Sequence, residues 1–180
     1  MANIRDFKYK LVKNFFSKEE LKLLKQYCLL KVDEGFKDDE QAPVCPSYGR
    51  DPLMHVFLKE KLPLMENVTG LELLKSYAYW RYYIYGSVLK THKDREACEI
   101  SVTACIHKTH NWPIHMNKNW IEIEEGDAVV YMGRELSHGR KKFEGDGCAQ
   151  VFFHYVDKHG SLTEHEDDQA RTLHNAITNS

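Results

Sequence analysis

Two short patterns in this chain carry residue types able to do chemistry at a useful spacing. Thr91-His92-Lys93-Asp94 sets an imidazole and a carboxylate two positions apart. In a strand that spacing turns both side chains to one face. His138, near the end of the segment 126–140, supplies a third group if its strand lies beside the one carrying His92. Two histidines and one carboxylate on one side of a metal leave three positions open, the arrangement of non-haem Fe(II) sites that take up dioxygen. Neither pattern is specific alone. A His-x-Asp triplet arises often by chance, and a single histidine is more often a core or surface residue than a ligand.

The remaining candidates are weaker. Of ten histidines, His107, His110, His115 and His154 read as structural or surface residues. A zinc cluster from His107, His110 and His115 would lack thiolate partners at useful spacing. The five cysteines (Cys28, Cys45, Cys98, Cys105 and Cys148) are odd in number and form no Cys-x-x-Cys pair, which disfavours a zinc ribbon or a disulfide scaffold. Buried thiols are the expectation. A net charge of −2 gives no broad electrostatic footprint for nucleic acid. No apolar run approaches the roughly 20 residues of a membrane helix. Residues 1–6 lack the apolar stretch of a secretory signal. A cytoplasmic protein acting on neither nucleic acid nor membrane is expected, and Asn67-Val68-Thr69 is then only formally a glycosylation acceptor.

The elements that must position these groups change character near Ser76. Before it the chain reads helical. Ser17-Lys18-Glu19-Glu20 has the spacing of a capping box, followed by Leu21, Leu24 and Cys28 at helical intervals. The segment 33–50 is polar and interrupted by Gly35, Pro43, Pro46 and Gly49, so it reads as a long loop, with Tyr48 and Arg50 placed to touch substrate. A second helix is expected over 52–61, interrupted at Pro63, and a third short one before Gly70. From Tyr77 onward aromatic-rich and apolar segments alternate with turns: 77–85, 100–106, 112–115, 120–123, 128–132, 136–140 and 149–156. Short strands at close spacing predict an antiparallel sandwich or barrel. One domain over 1–160 is expected, helical support over 1–75 and a β core over 76–157, with a polar tail at 161–180.

Joined to this layout, the patterns resemble the prolyl 4-hydroxylase-like branch of the 2-oxoglutarate and Fe(II)-dependent oxygenases. The upstream tyrosine, glycine and His-x-Asp of that family appear as Tyr83-Ile84-Tyr85-Gly86 followed by Thr91-His92-Lys93-Asp94. Its Gly-Asp turn before the strand leading to the distal histidine appears as Gly126-Asp127-Ala128-Val129-Val130-Tyr131, and His138 stands at the second histidine. The resemblance covers about residues 77–156. It implies an α+β, mainly β fold: a double-stranded β-helix, or jelly roll, behind N-terminal supporting helices. It implies Fe(II) on His92, Asp94 and His138, 2-oxoglutarate as co-substrate, dioxygen, and hydroxylation of a peptide or small molecule. An aspartate at 94 argues against halogenation, because chloride would need that ligand position.

One departure stands out. The family carries an Arg or Lys about ten residues past the distal histidine, for the far carboxylate of 2-oxoglutarate. Here that window is Gly147-Cys148-Ala149-Gln150. Arg140 shares the strand face of His138 and is the expected substitute, with Gln150 adding an amide and Tyr83 a hydroxyl. Lys108 is a second candidate. Arg95, adjacent to Asp94, should point away. Trp112-Pro113 is expected to border the substrate entrance. A cupin-like metal enzyme that uses no oxo-acid, or a non-catalytic β-helix binding module, remains compatible with the sequence. A cation facing the metal separates the oxygenase from both.

Overall fold

The computed structural model describes residues 7–32 and 45–168. Its elements in order are β1 (Tyr9–Val12), α1 (Lys18–Lys31), β2 (Ser47–Gly49), α2 (Pro52–Glu60), α3 (Leu62–Thr69), β3 (Leu73–Tyr83), β4 (Leu89–His92), β5 (Ile100–Lys108), β6 (Ile114–Met116), β7 (Asn119–Ile121), β8 (Ala128–Met132), β9 (His138–Arg140) and β10 (Cys148–Asp157). Two sheets form, in the orders β1-β8-β5-β10-β3-β2 and β4-β9-β6-β7. All strand pairs are antiparallel. From β3 to β10 the chain passes back and forth between the sheets, which makes the core a double-stranded β-helix.

The helices back the larger sheet for identifiable reasons. Ser17 accepts from the Glu20 amide and Glu20 returns a bond to the Ser17 amide, so α1 begins with the expected capping box. Asp51 ties three elements together. One carboxylate oxygen caps α2 through the Leu53 and Met54 amides; the other accepts from Tyr27 on α1 and Trp80 on β3. Gly70 ends α3 at φ 73°, a backbone region that favours glycine. Ala78 and Trp80 therefore face the helices, and strand alternation turns Tyr77, Tyr79, Arg81 and Tyr83 toward the barrel interior.

The structure adds to and corrects the sequence reading. Two strands lie within the part read as helical support: β1, at the edge beside β8, and β2, which closes the segment 33–50 as a strand on β3. Residues 33–44 lie outside the described residues. Tyr48 packs on the helix side of β3 rather than in the interior. It stacks on Trp80 at 4.0 Å and donates to the Lys31 carbonyl. Arg50, at φ 57°, follows β2 and precedes Asp51, the N-cap of α2. After β10 the tail forms a short 3-10 turn, Thr163–His165, and Asp168 pairs with Arg95; residues 169–180 lie outside the described residues. All five cysteines are buried thiols. Among the described residues no helix is long and apolar enough to cross a membrane.

Candidate active site

His92, Asp94 and His138 converge at one end of the interior, with ligand atoms within 4.8 Å of one another. The register of β4 against β9 places His92 directly opposite His138. Each ring is fixed in the same way, by Nδ1 donating to a carbonyl two residues upstream: Lys90 at 2.8 Å for His92, and Leu136 at 2.9 Å for His138. A carbonyl only accepts, so Nδ1 carries a proton, and in the neutral imidazole the lone pair is then on Nε2. Both Nε2 atoms lie 3.4 Å from Asp94 Oδ1.

Asp94 reaches this point by a route that strand alternation does not describe. β4 ends at His92, after an irregularity in its pairing with β9. The Asp94 amide instead donates to the Gly133 carbonyl at 2.9 Å, and its Oδ2 accepts from Ser101 Oγ at 2.8 Å. Gly133 is obligatory here, since a Cβ would overlap the Asp94 carboxylate, the Cys98 carbonyl and the Ser101 hydroxyl. Burial works to raise the Asp94 carboxyl, but His138 and His92 hold it well below the usual carboxylate range. Burial lowers His92, while Asp94 and the Lys90 carbonyl outweigh it and leave the group raised.

The other end of the interior is cationic. Arg140 is buried at 3% exposure on the same strand face as His138. Its guanidinium donates to the Trp112 carbonyl, lies 4.9 Å over the Trp112 ring, and reaches Gln150 Oε1 at 3.4 Å. Gln150 lies on β10, in the opposite sheet, so Arg140 spans the interior between the two sheets. Thr103 also donates to Gln150 Oε1, at 3.3 Å. Tyr83 is fully buried with its ring edge on Trp112 at 4.7 Å. Burial raises its phenol; the charges of Arg81 and Arg140 oppose that. Tyr83 Oη and Arg140 Nε make no hydrogen bond among the described residues.

The other sequence candidates lie elsewhere. Lys108 pairs with Glu124 at 2.9 Å, and Arg95 with Asp168 at 2.5 Å. Trp112 and Pro113 line a cavity of about 310 Å³ together with Trp120, Lys141 and Lys142. His107 pairs with Glu125, and His115 meets the Thr91 hydroxyl at 2.9 Å. His110 lines the same cavity as Trp112. Two residues at the site were missed. Arg81 is buried on β3, two positions before Tyr83 and opposite Gln150, with its guanidinium 5.3 Å from the Tyr79 ring centre. His154, read as structural, lies behind Asp94, its Nδ1 3.0 Å from Ser101 Oγ. Alternation gives both away, because Arg81 shares parity with Tyr83 and His154 with Gln150.

No protein-family model matches the chain, and no curated protein does. Solved structures do. A prolyl-4-hydroxylase from Pseudomonas putida superposes with a TM-score of 0.68 over 86% of this chain and 95% of its own, at 14% identity. The α-ketoglutarate-dependent non-haem epimerase SnoN of nogalamycin biosynthesis gives a TM-score of 0.71 over 85% of this chain and 77% of its own, at 10% identity. HygX from Streptomyces hygroscopicus, with nickel, 2-oxoglutarate and hygromycin B bound, gives 0.68 over 88% and 86%, at 10% identity. The chain thus has the fold of the 2-oxoglutarate and Fe(II)-dependent oxygenases, prolyl 4-hydroxylases among them.

Proposed function

We propose that the chain is an Fe(II)- and 2-oxoglutarate-dependent dioxygenase that hydroxylates a peptide or small molecule. One observation carries the reading: a two-histidine, one-carboxylate cluster and two buried arginines, Arg81 and Arg140, face one interior. The residues fit both groups. His92 and His138 offer Nε2 lone pairs and Asp94 a carboxylate kept ionised, which suits a divalent iron. The unsatisfied Tyr83 hydroxyl and Arg140 Nε suit a carboxylate. Iron bound there with 2-oxoglutarate and dioxygen would supply oxidative chemistry, in which the co-substrate loses carbon dioxide to give succinate, one oxygen atom of dioxygen going to that succinate and the other to substrate.

The protein's own part is to bind and orient. Arg140 holds the far carboxylate of 2-oxoglutarate, with Tyr83 donating a hydrogen bond and Arg81 adding charge from β3. Gln150 steadies the Arg140 guanidinium through Oε1. Burial of these groups excludes water and strengthens the charge-assisted bonds. A cation in the interior on the face of His138 supports this reading over a cupin-like enzyme or a binding module. The test is anaerobic titration with Fe(II) and 2-oxoglutarate, followed by succinate measurement on admitting oxygen. Saturable binding of both, then succinate release, is expected; metal binding with no 2-oxoglutarate binding overturns the oxygenase reading.

A further inference from the structure

Behind the metal-facing residues lies a second layer that the proposed function does not use. β5 and β10 pair so that Ser101 sits opposite His154. Three hydrogen-bond contacts meet at Ser101 Oγ, Asp94 Oδ2 at 2.8 Å, His154 Nδ1 at 3.0 Å and the Cys98 carbonyl at 3.2 Å, and the Tyr131 hydroxyl lies near it as well. A serine hydroxyl has one proton to give. The carboxylate is the closest and the only charged acceptor, so the proton goes to Oδ2. Ser101 Oγ must then accept from His154, which puts the His154 proton on Nδ1. Nε2 is left as a bare acceptor. It is fully buried and has no hydrogen-bond partner among the described residues, the place where a missing N–H does least harm. The ring is held beside Tyr77 at 4.5 Å and Tyr79 at 5.8 Å, so it does not turn freely.

We propose that Ser101 and His154 form a hydrogen-bond relay that keeps Asp94 a one-oxygen ligand. This rests on the metal reading above and extends it to residues that touch no metal. With Oδ2 engaged by Ser101, only Oδ1 faces the two histidine Nε2 atoms. A carboxylate free to rotate would chelate through both oxygens and close one of three open positions. A chelating keto acid needs two of those and dioxygen the third. His154 is thus a positioning residue twice removed. It fixes the direction of the Ser101 proton, and Ser101 fixes the carboxylate.

The test uses Co(II) alone, titrated under nitrogen into the full chain and followed by calorimetry and visible absorption, whose intensity reports coordination number. Ser101→Ala and His154→Leu should each weaken Co(II) by roughly 10- to 100-fold, the range for supporting groups. The double variant should lose no more than the worse single one, because the two residues act in series. His154→Asn, whose amide nitrogen replaces Nδ1–H, should restore both affinity and spectrum. A merely structural role would lower the melting temperature of the metal-free variants without this pattern. Should Ser101→Ala not fold, His154→Leu against His154→Asn carries the test alone. Wild-type affinity in Ser101→Ala, or additive losses in the double variant, overturns the relay. So does uptake of a second Co(II) that Cys98→Ala abolishes, since Asp94, Cys98 and His154 would then hold an ion themselves. Unchanged Co(II) binding in His92→Ala shows a different failure, that of the metal reading itself.

Discussion

The two ends of the barrel interior solve opposite problems with different chemistry. At the His92 end, two imidazoles are aimed by their own backbone, and the Asp94 carboxylate faces them. At the Arg140 end, guanidinium groups are buried against aromatic rings, and Arg140 Nε makes no hydrogen bond among the described residues. The first end gathers groups that suit a cation and the second groups that suit an anion. The ends also differ in what disturbs them. A histidine side chain ordinarily changes charge within the experimental pH range, whereas arginine keeps its charge throughout. Removing a ligand, adding protons and removing a donor should therefore act on separable ends.

The largest effect belongs to the ligands. His92→Ala, Asp94→Ala and His138→Ala should each abolish measurable Fe(II) binding while the metal-free fold persists. The loss should go well beyond the roughly 10- to 100-fold that removing a supporting group costs. Full iron occupancy in any two of the three variants, measured by metal analysis after gel filtration, would sink the assignment.

Acid comes next, and it should act through the His92 end. Burial pushes His154 down to about 4. An unfolded histidine titrates near 6.5, so between these values the folded chain holds fewer protons than the unfolded one, and stability rises as pH rises and is lost as pH falls. The contribution is intact above pH of about 6.5 and lost as pH falls to about 4, a change of about 3 kcal/mol. Denaturant unfolding of the metal-free protein at several pH values measures it. His154→Asn should flatten that slope; an unchanged slope would show that His154 is not the group responsible.

At the opposite end, a charge-assisted hydrogen bond contributes roughly 1.5 to 3 kcal/mol. Arg140→Ala should then weaken 2-oxoglutarate by roughly 10- to 150-fold, measured calorimetrically on the Co(II) protein, with Co(II) affinity unchanged. Lys108→Ala should do little, because Lys108 is paired with Glu124. A greater loss in Arg81→Ala than in Arg140→Ala would move the principal anchor to β3.

The His92 end was more legible in the sequence than the Arg140 end, and the reason is range. His92 and Asp94 are two residues apart, and His138 follows a Gly-Asp turn and a strand whose boundaries, 128–132, were read directly. The Arg140 end is assembled across sheets, from β9, β10 and β3, and no local spacing states that β3 lies beside β10. Arg81 was therefore overlooked although its parity with Tyr83 was in plain sight. β1 and β2 were missed because four and three residues carry too little pattern, and both are strands only by virtue of the neighbour they edge. Asp94 was placed on the correct side by the wrong argument. Strand alternation put it there on paper, while the Gly133 carbonyl does so in the fold.

The smallest effect is the sharpest test of the pocket, because its two readouts move in opposite directions. The Tyr83 hydroxyl is fully buried and has no hydrogen-bond partner among the described residues. Such a group costs the folded chain about 1 to 3 kcal/mol of desolvation. Tyr83→Phe removes that cost and leaves the ring on Trp112, so the metal-free variant should melt at the wild-type temperature or above it. If the hydroxyl is there to meet a carboxylate, the same variant loses one hydrogen bond to the co-substrate. At roughly 0.5 to 1.5 kcal/mol, 2-oxoglutarate binding should weaken about 2- to 13-fold. A stabilised protein with a weakened co-substrate site marks a group kept for its ligand. Equal affinity in Tyr83→Phe would remove Tyr83 from the pocket's function and leave Arg140 and Arg81 to hold the carboxylate.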